Sequence, residues 1–292
     1  MHFSKRITKS INKMPILSIR YFSNIKDTNC IGIIGVGNLG QSLTTMILNG
    51  KKSPISLICS VKHNETKEKL ARNFPFNNIK FTTDNFEVIS KCHYLLLAVK
   101  PGQIKTVCDE ISPKLNPKIP IISVAAAIPL IKLHQWLPGS TTIIRCMPNI
   151  TCSIGKGVVP YICDNKTISH NIMETLFTPN MLIPLEDDDQ INSSTLLSGC
   201  GPAFLAWYID CLKGISNNIP SHHVNNMVIQ TMMGTAELLQ THTTSDIIKS
   251  VASPNGATEA TLLSLQSQNV NAIIHDSLSD AQTRIASIIK TL

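Results

Sequence analysis

The strongest constraint on the fold lies between residues 30 and 48. Cys30-Ile31-Gly32-Ile33-Ile34 is a short apolar run, Gly35-Val36-Gly37-Asn38-Leu39-Gly40 interrupts it, and Gln41 to Leu48 follow at helical spacing. Strand, glycine turn and helix, in that order, are the context in which G-x-G-x-x-G cradles a dinucleotide. Gly35 permits the tight turn, Gly37 lets the backbone approach a diphosphate with no side chain in the way, and Gly40 lets helix and strand pack closely. The helix start then offers unpaired N–H groups and a positive dipole end to phosphate oxygens. Residues Ile34 to Gly40 are therefore the first candidate cofactor contacts.

The next apolar run, Ile55 to Cys59, predicts a second strand. At the end of such a strand an NAD enzyme places an Asp or Glu on the ribose 2′-hydroxyl. Here Ser60-Val61-Lys62-His63-Asn64 follows instead. Hydroxyl, ammonium and imidazole groups suit a 2′-phosphate, so Ser60 and Lys62 point to NADPH, with NADH left open. Tyr94 to Val99 and Ile121 to Val124 predict further buried strands, and Ile143 to Asn149 a short strand running into a loop. Ligands of open parallel sheets sit beyond such strand ends. The pattern predicts a doubly wound (Rossmann) α/β domain with a parallel sheet over residues 30–186.

After the acidic run Glu186 to Asp189, a 3.6-residue period takes over, as in Val224, Met227, Val228, Thr231, Met232, Thr235, Leu238 and Leu239. Residues 187–292 are predicted to form an all-helical domain. Small residues beside Phe204, Leu205, Trp207 and Tyr208 predict a long, closely packed, buried helix over Ser198 to Cys211. The methionine and isoleucine stripe reads as core or subunit interface rather than a cofactor pocket.

Composition narrows the function classes. The 292 residues are 43% hydrophobic and 15% charged, with no apolar stretch approaching the roughly 18 to 20 residues of a membrane helix. That predicts a globular chain with no membrane partner. The net charge of +7 is spread along the chain and aromatics are only 5%, which argues against nucleic acid. Part of the excess is local, since residues 1–29 carry Lys5, Arg6, Lys9, Lys13, Arg20 and Lys26 against the single acid Asp27. This segment, with Arg20-Tyr21-Phe22-Ser23, has the character of a mitochondrial presequence; the other reading is a disordered basic tail on a cytoplasmic protein. Nine cysteines, an odd number with no C-x-x-C pair, argue against a disulfide framework and a zinc site. His222-His223 reads as a helix start after Pro220, and no metal is expected.

Taken in order, the motifs resemble pyrroline-5-carboxylate reductase over residues 30 to 290. The pieces are IGIIGVGNLG at 31–40, LLLAVKPGQI at 95–104, IISVAAAIPL at 121–130, IIRCMPNI at 143–150, LLSGCGPAF at 196–204, QTMMGTAELL at 230–239 and SPNGATEATLLSL at 253–265. The glycine motif is generic; AVKP, MPN, SGxGPA and SPxGAT in this order are specific. The resemblance implies NAD(P)H-dependent reduction of the cyclic imine 1-pyrroline-5-carboxylate to L-proline, the last step of proline biosynthesis. It also implies a homodimer interlocked through the helical domain, with assembly as far as a decamer. Carried across, the cofactor touches Ile34 to Leu39, Ser60 and Asn85, then Ala98, Val99, Lys100 and Pro101, while Val124, Ala125 and Ala126 approach the nicotinamide. The substrate lies against Ser253, Gly256, Ala257 and Thr258 near the subunit interface, and Ser250 stands where relatives place an asparagine.

The residues of that last segment support the placement. Ser253-Pro254-Asn255-Gly256-Ala257-Thr258 precedes a helical pattern, so its N–H groups lie free to bind a carboxylate. Thr258 is the candidate catalytic residue, orienting the ring nitrogen. A protonated imine is already electrophilic, so no strong enzymic acid is required. The chain departs from the family at Asn255, Ser250 and Ala127, with Ile150-Thr151 after MPN and Glu259 beside the anion site. Two alternatives follow. A hydroxyacid dehydrogenase-type reductase needs a proton-moving group, commonly a lysine early in the helical domain, and none occurs between Ser198 and Lys213. A non-catalytic nicotinamide-binding paralogue would accommodate the departures.

Overall fold

The computed structural model describes residues 30–50, 55–214 and 218–290, and the basic segment read as a presequence lies outside them. Eight strands form one sheet in the order β3-β2-β1-β4-β5-β6-β7-β8. The strands β1 (Cys30–Ile34), β2 (Ser56–Ser60), β3 (Ile79–Thr82), β4 (Tyr94–Leu97), β5 (Ile121–Ser123) and β6 (Ile143–Cys146) are parallel, and Ile34 lies between Ser60 and Leu97 in the register. The order 3-2-1-4-5-6 puts the topological switch point at the ends of β1 and β4, where dinucleotides bind. The parallel sheet expected from the sequence extends over β1 to β6 and changes direction at its far edge. There β7 (Val158–Cys163) runs antiparallel to β6, and β8 (Met181–Pro184) pairs with it in parallel.

Burial on both faces explains the unbroken apolar strands. Ile31, Ile33, Leu57, Leu96, Ile122 and Ile144 enter one core layer, while Ile34, Ile58, Leu95, Leu97, Ile121 and Ile143 enter the other. The helices are α1 (Asn38–Gly50), α2 (Asn64–Asn73), α3 (Asn85–Lys91), α4 (Pro101–Ile111), α5 (Leu130–Trp136) and α6 (Lys166–Phe177). The first layer receives Leu43, Met46 and Ile47 from α1, Leu70 from α2, and Ile172, Met173 and Phe177 from α6. The second receives Val88 from α3, Ile104, Val107 and Ile111 from α4, and Leu133 from α5.

Beyond the sheet come α7 (Asp188–Ser194), a π-helical turn at Thr195–Gly199, α8 (Gly201–Lys213), α9 (Ser221–Leu238), α10 (Thr244–Val251), α11 (Ala257–Ser267) and α12 (Val270–Lys290). Two polar pins join this part to the sheet. Arg145 on β6, only 1% exposed, pairs with the Asp188 carboxylate and donates to Asn192 Oδ1 at 2.7 Å. Asn149, in the loop after β6, donates to the Ser198 carbonyl at 3.1 Å. His222 and His223 open α9 after Pro220, as expected, with ring centroids 4.0 Å apart.

The expected buried helix over Ser198 to Cys211 is corrected in two respects. It begins at Gly201 after the π-helical turn, and its large side chains are uncovered in the single chain, Trp207 being 66% exposed. Beyond Thr195, only Leu196 and Val224 are buried among the described apolar residues. Exposed apolar side chains continue along α8, α9 and α11, with Phe204, Met227, Met233 and Leu263 among them. Patches of this extent mark a surface that another molecule covers.

Candidate active site

The glycine turn has the geometry that a dinucleotide requires. Gly35 sits at φ +94, and a side chain there would strike the backbone of Ala98 and Val99 at 2.8 Å. A Cβ on Gly40 would lie 2.5 Å from the Gly35 carbonyl oxygen, whereas one on Gly37 would meet nothing within 4 Å. Gly37 thus faces open space in front of the first turn of α1, where the N–H groups of Asn38, Leu39 and Gly40 have no carbonyl partner within the helix. Val36 is buried and Leu39 packs against the same core layer, so both present backbone rather than side chain to the cleft. Two variants separate these roles. Gly40→Ala is expected to cost about 1–3 kcal/mol of stability by overpacking, read as a lower urea midpoint. Gly37→Ala should leave the midpoint unchanged and weaken only dinucleotide binding.

A cleft of about 390 Å³ opens beside this turn. The structure gathers Ile34, Gly35, Ser60, Lys62, Asn85 and Val99 of the expected residues along it. Ala98 donates its N–H to the Ile34 carbonyl at 2.8 Å, and Val124 to that of Leu97 at 3.0 Å, so both strand ends converge on the same place. Lys100 is the exposed residue preceding α4, and Pro101 fills that helix's first position. Ala125 is buried and Ala126 half-buried just beyond β5. The next residue, Ala127, adopts φ +61, a left-handed conformation that costs an alanine about 1–2 kcal/mol.

Polar groups in the cleft are linked. The Ser60 hydroxyl donates to Asn85 Oδ1 at 2.6 Å, and Asn85 Nδ2 donates to Glu110 Oε2 at 2.9 Å. Gln103, Thr106 and Glu110 of α4 also line the cleft and were not among the expected residues. Their i, i+3, i+7 spacing directly after a strand end is the signal that would have found them.

The second group of expected residues lies at the start of α11. Asn255 sits at φ +59, the left-handed conformation that Asn tolerates best among residues with side chains. Gly256 is the residue before the helix and donates its N–H to the Ser253 carbonyl at 3.0 Å. No side chain caps the helix, so the Ala257 and Thr258 N–H groups are unclaimed, and Thr258 is half-buried beside them. Glu259 turns its carboxylate back to the loop, accepting the Asn255 N–H at 2.6 Å. Ser250 is not brought to the loop by a hydrogen bond, since its hydroxyl donates to the Ile247 carbonyl of its own helix at 2.8 Å. In the single chain no hydrogen bond joins this loop to the sheet among the described residues.

All nine cysteines are free. Burial pushes the thiols of Cys59, Cys92, Cys108 and Cys152 up to about 12, which keeps them protonated at neutral pH. Among the described residues no three His, Cys, Asp or Glu side chains are placed to hold a metal ion, and no helix is long and apolar enough to cross a membrane.

Comparison with known proteins accords with this geometry. Residues 30–127 match the family model for NADP oxidoreductase, coenzyme F420-dependent, and residues 188–288 match that for pyrroline-5-carboxylate reductase dimerisation. The pyrroline-5-carboxylate reductase of Pseudomonas aeruginosa is 26% identical over 90% of this chain and 97% of its own. That of Arabidopsis thaliana is 27% identical over 87% and 93%, and pyrroline-5-carboxylate reductase 3 of Xenopus laevis is 29% identical over 87% and 94%. In fold, the chain is similar to Plasmodium falciparum pyrroline carboxylate reductase, solved with NADP bound, at a TM-score of 0.78 and 23% identity over 89% of this chain and 98% of that one. With a match to pyrroline-5-carboxylate reductase dimerisation following an NADP oxidoreductase match, and relatives matched along nearly their whole length, the chain is similar to pyrroline-5-carboxylate reductases in both of its domains.

Proposed function

We propose that this chain reduces 1-pyrroline-5-carboxylate to L-proline with NADPH, as a homodimer. The observation that carries the reading is the presence in one chain of two helix starts built to bind anions. One is the glycine turn that opens α1, with free space at Gly37, and the other is the uncapped start of α11. The first suits a diphosphate and the second a small carboxylate. The relatives' names and the NADP-bound Plasmodium structure support the choice of substrate and cofactor.

Gly37, Asn38 and Leu39 would hold the diphosphate through backbone N–H groups, with Ser60, Lys62 and Asn85 on the adenosine side. Ala98 to Pro101 and Val124 to Ala126 would flank the rest. Bound there, the reduced nicotinamide supplies the hydride. The Ala257 and Thr258 N–H groups hold the substrate carboxylate, Ser253 and Gly256 shape the loop, and the Thr258 hydroxyl orients the ring nitrogen. Positioning of this kind contributes on the order of 7–11 kcal/mol in favourable model reactions, and the protonated imine needs no stronger acid. The uncovered apolar faces of α8, α9 and α11 support the dimer, because a second copy would supply the missing layer.

The test is oxidation of NADPH by the protein in the presence of pyrroline-5-carboxylate. Thr258→Ala is expected to lower kcat/KM about 100-fold, the usual scale for losing a group that positions or shuttles a proton. NADPH binding should be unaltered. Tight NADPH binding with no imine reduction by the unaltered chain would sink the assignment in favour of a non-catalytic relative.

A further inference from the structure

We propose that Glu110 is a positioning residue that sets the balance between NADPH and NADH, acting through Asn85 and Ser60; the inference rests on the cofactor reading above. A carboxylate can only accept hydrogen bonds. Glu110 therefore draws the Asn85 amide nitrogen toward itself, at 2.9 Å, and this turns Asn85 Oδ1 to the Ser60 hydroxyl at 2.6 Å. Ser60 is only 2% exposed and spends its single proton on that bond. What it has left for a ligand at the end of β2 is oxygen lone pairs.

That polarity distinguishes the two cofactors. The adenosine ribose of a bound dinucleotide lies beyond the end of β2. A 2′-hydroxyl can donate to a lone pair, whereas a 2′-phosphate only accepts. The acid that NAD enzymes carry at the end of β2 is absent from Ser60-Val61-Lys62, and α4 supplies one from a different element. Lys62, exposed on the same cleft, pulls the other way by attracting the phosphate. The chain thus holds one group favouring each cofactor. Glu110 is the one that keeps NADH in use.

The test measures dissociation constants of NADPH and NADH for the full chain by fluorescence, without turnover. In Glu110→Gln the side-chain amide can donate or accept, the Asn85 amide is free to turn, and Ser60 can direct its proton at a phosphate. The ratio of affinities should move toward NADPH by about tenfold, the scale of one hydrogen bond to a charged group. Asp109→Asn removes the same charge one residue earlier on α4, where Asp109 pairs with Lys105 at 2.6 Å outside the cleft, and should leave the ratio unchanged. In a Ser60→Ala background, Glu110→Gln should no longer alter the ratio. An unchanged ratio in Glu110→Gln, an equal shift in Asp109→Asn, or a shift that persists without the Ser60 hydroxyl would overturn the proposal while leaving the cofactor reading intact. Failure of the unaltered chain to bind either dinucleotide would overturn the cofactor reading as well.

Discussion

Asp188→Ala is expected to destabilise the protein by about 3–5 kcal/mol, the cost of leaving a buried charge without its partner. Arg145 is 1% exposed on the central side of β6, and burial pulls its guanidinium below its usual pKa, with Asp188 opposing that shift. The group nonetheless remains a cation. Its Nε has no partner, so only Asn192 at 2.7 Å and a long contact to the backbone carbonyl of residue 188 at 3.5 Å would remain once the carboxylate is gone. The same carboxylate accepts the Leu130 N–H at 3.1 Å, which would also be orphaned at the start of α5. Arg145→Met reverses the situation. Methionine fills much of the volume, and Asp188, whose side chain is 30% exposed, regains water while keeping Leu130. That variant should lose only about 1 kcal/mol, the scale of one ordinary hydrogen bond. Urea denaturation of the two variants separates the accounts, and equal losses would show that the pair does not act as a buried charge and its counter-ion.

The pin also bears on how far the fold could be read in advance. The strand, glycine turn and helix from Cys30 to Leu48 were legible because each glycine has a local cause, and β1, β2, β4 and β5 because both sides of each are buried. The strand β3 is short and its alternate residues are partly exposed, so Ile79 to Thr82 show no strong period. The strand β7 was hidden by Pro160, which usually argues against a strand in the middle of a sheet. Here Pro160 still serves the ladder through its carbonyl, which accepts the Met147 N–H at 2.9 Å. In the cleft, Ser60 and Asn85 are legible from the sequence and its family resemblance, whereas Gln103, Thr106 and Glu110 are harder to see. They lie on the flank of α4 beside its buried row of Ile104, Val107 and Ile111, with Val107 reaching the same cleft, and such a polar flank is easily read as ordinary solvated surface unless its position after a strand end is weighed. The Ser253 to Thr258 loop could be recognised as a helix start, whereas the turning away of Ser250 depends on a hydrogen bond within its own helix. The helical part resisted reading for a different reason. Its apolar period marks faces to be covered, and the period is the same whether the cover belongs to the same chain or another.

Phe204→Glu combined with Trp207→Glu is expected to turn a dimer into monomers and to reduce imine reduction by about 100-fold or more. The two residues are three apart on α8, so they occupy one face, and they are 44% and 66% exposed in the single chain. Burying a large apolar side chain is worth about 1.5–3 kcal/mol. Losing two such contacts forfeits about 3–6 kcal/mol, and two carboxylates would in addition have to be desolvated. The dimer should weaken by about a thousandfold or more. The sheet should remain folded, because its two core layers draw almost nothing from α8. Sedimentation should therefore report a smaller particle while the sheet's unfolding transition persists. Activity should fall because the α11 anion end and the β1–β4 cleft share no hydrogen bond among the described residues of one chain, so their relative placement depends on what covers the helices. NADPH binding should survive, since the glycine turn and the Ser60–Asn85–Glu110 chain lie wholly within one sheet domain. A double variant that stays dimeric would show that α8 is not the interface. One that becomes monomeric yet retains full turnover would show that a single chain assembles the complete site.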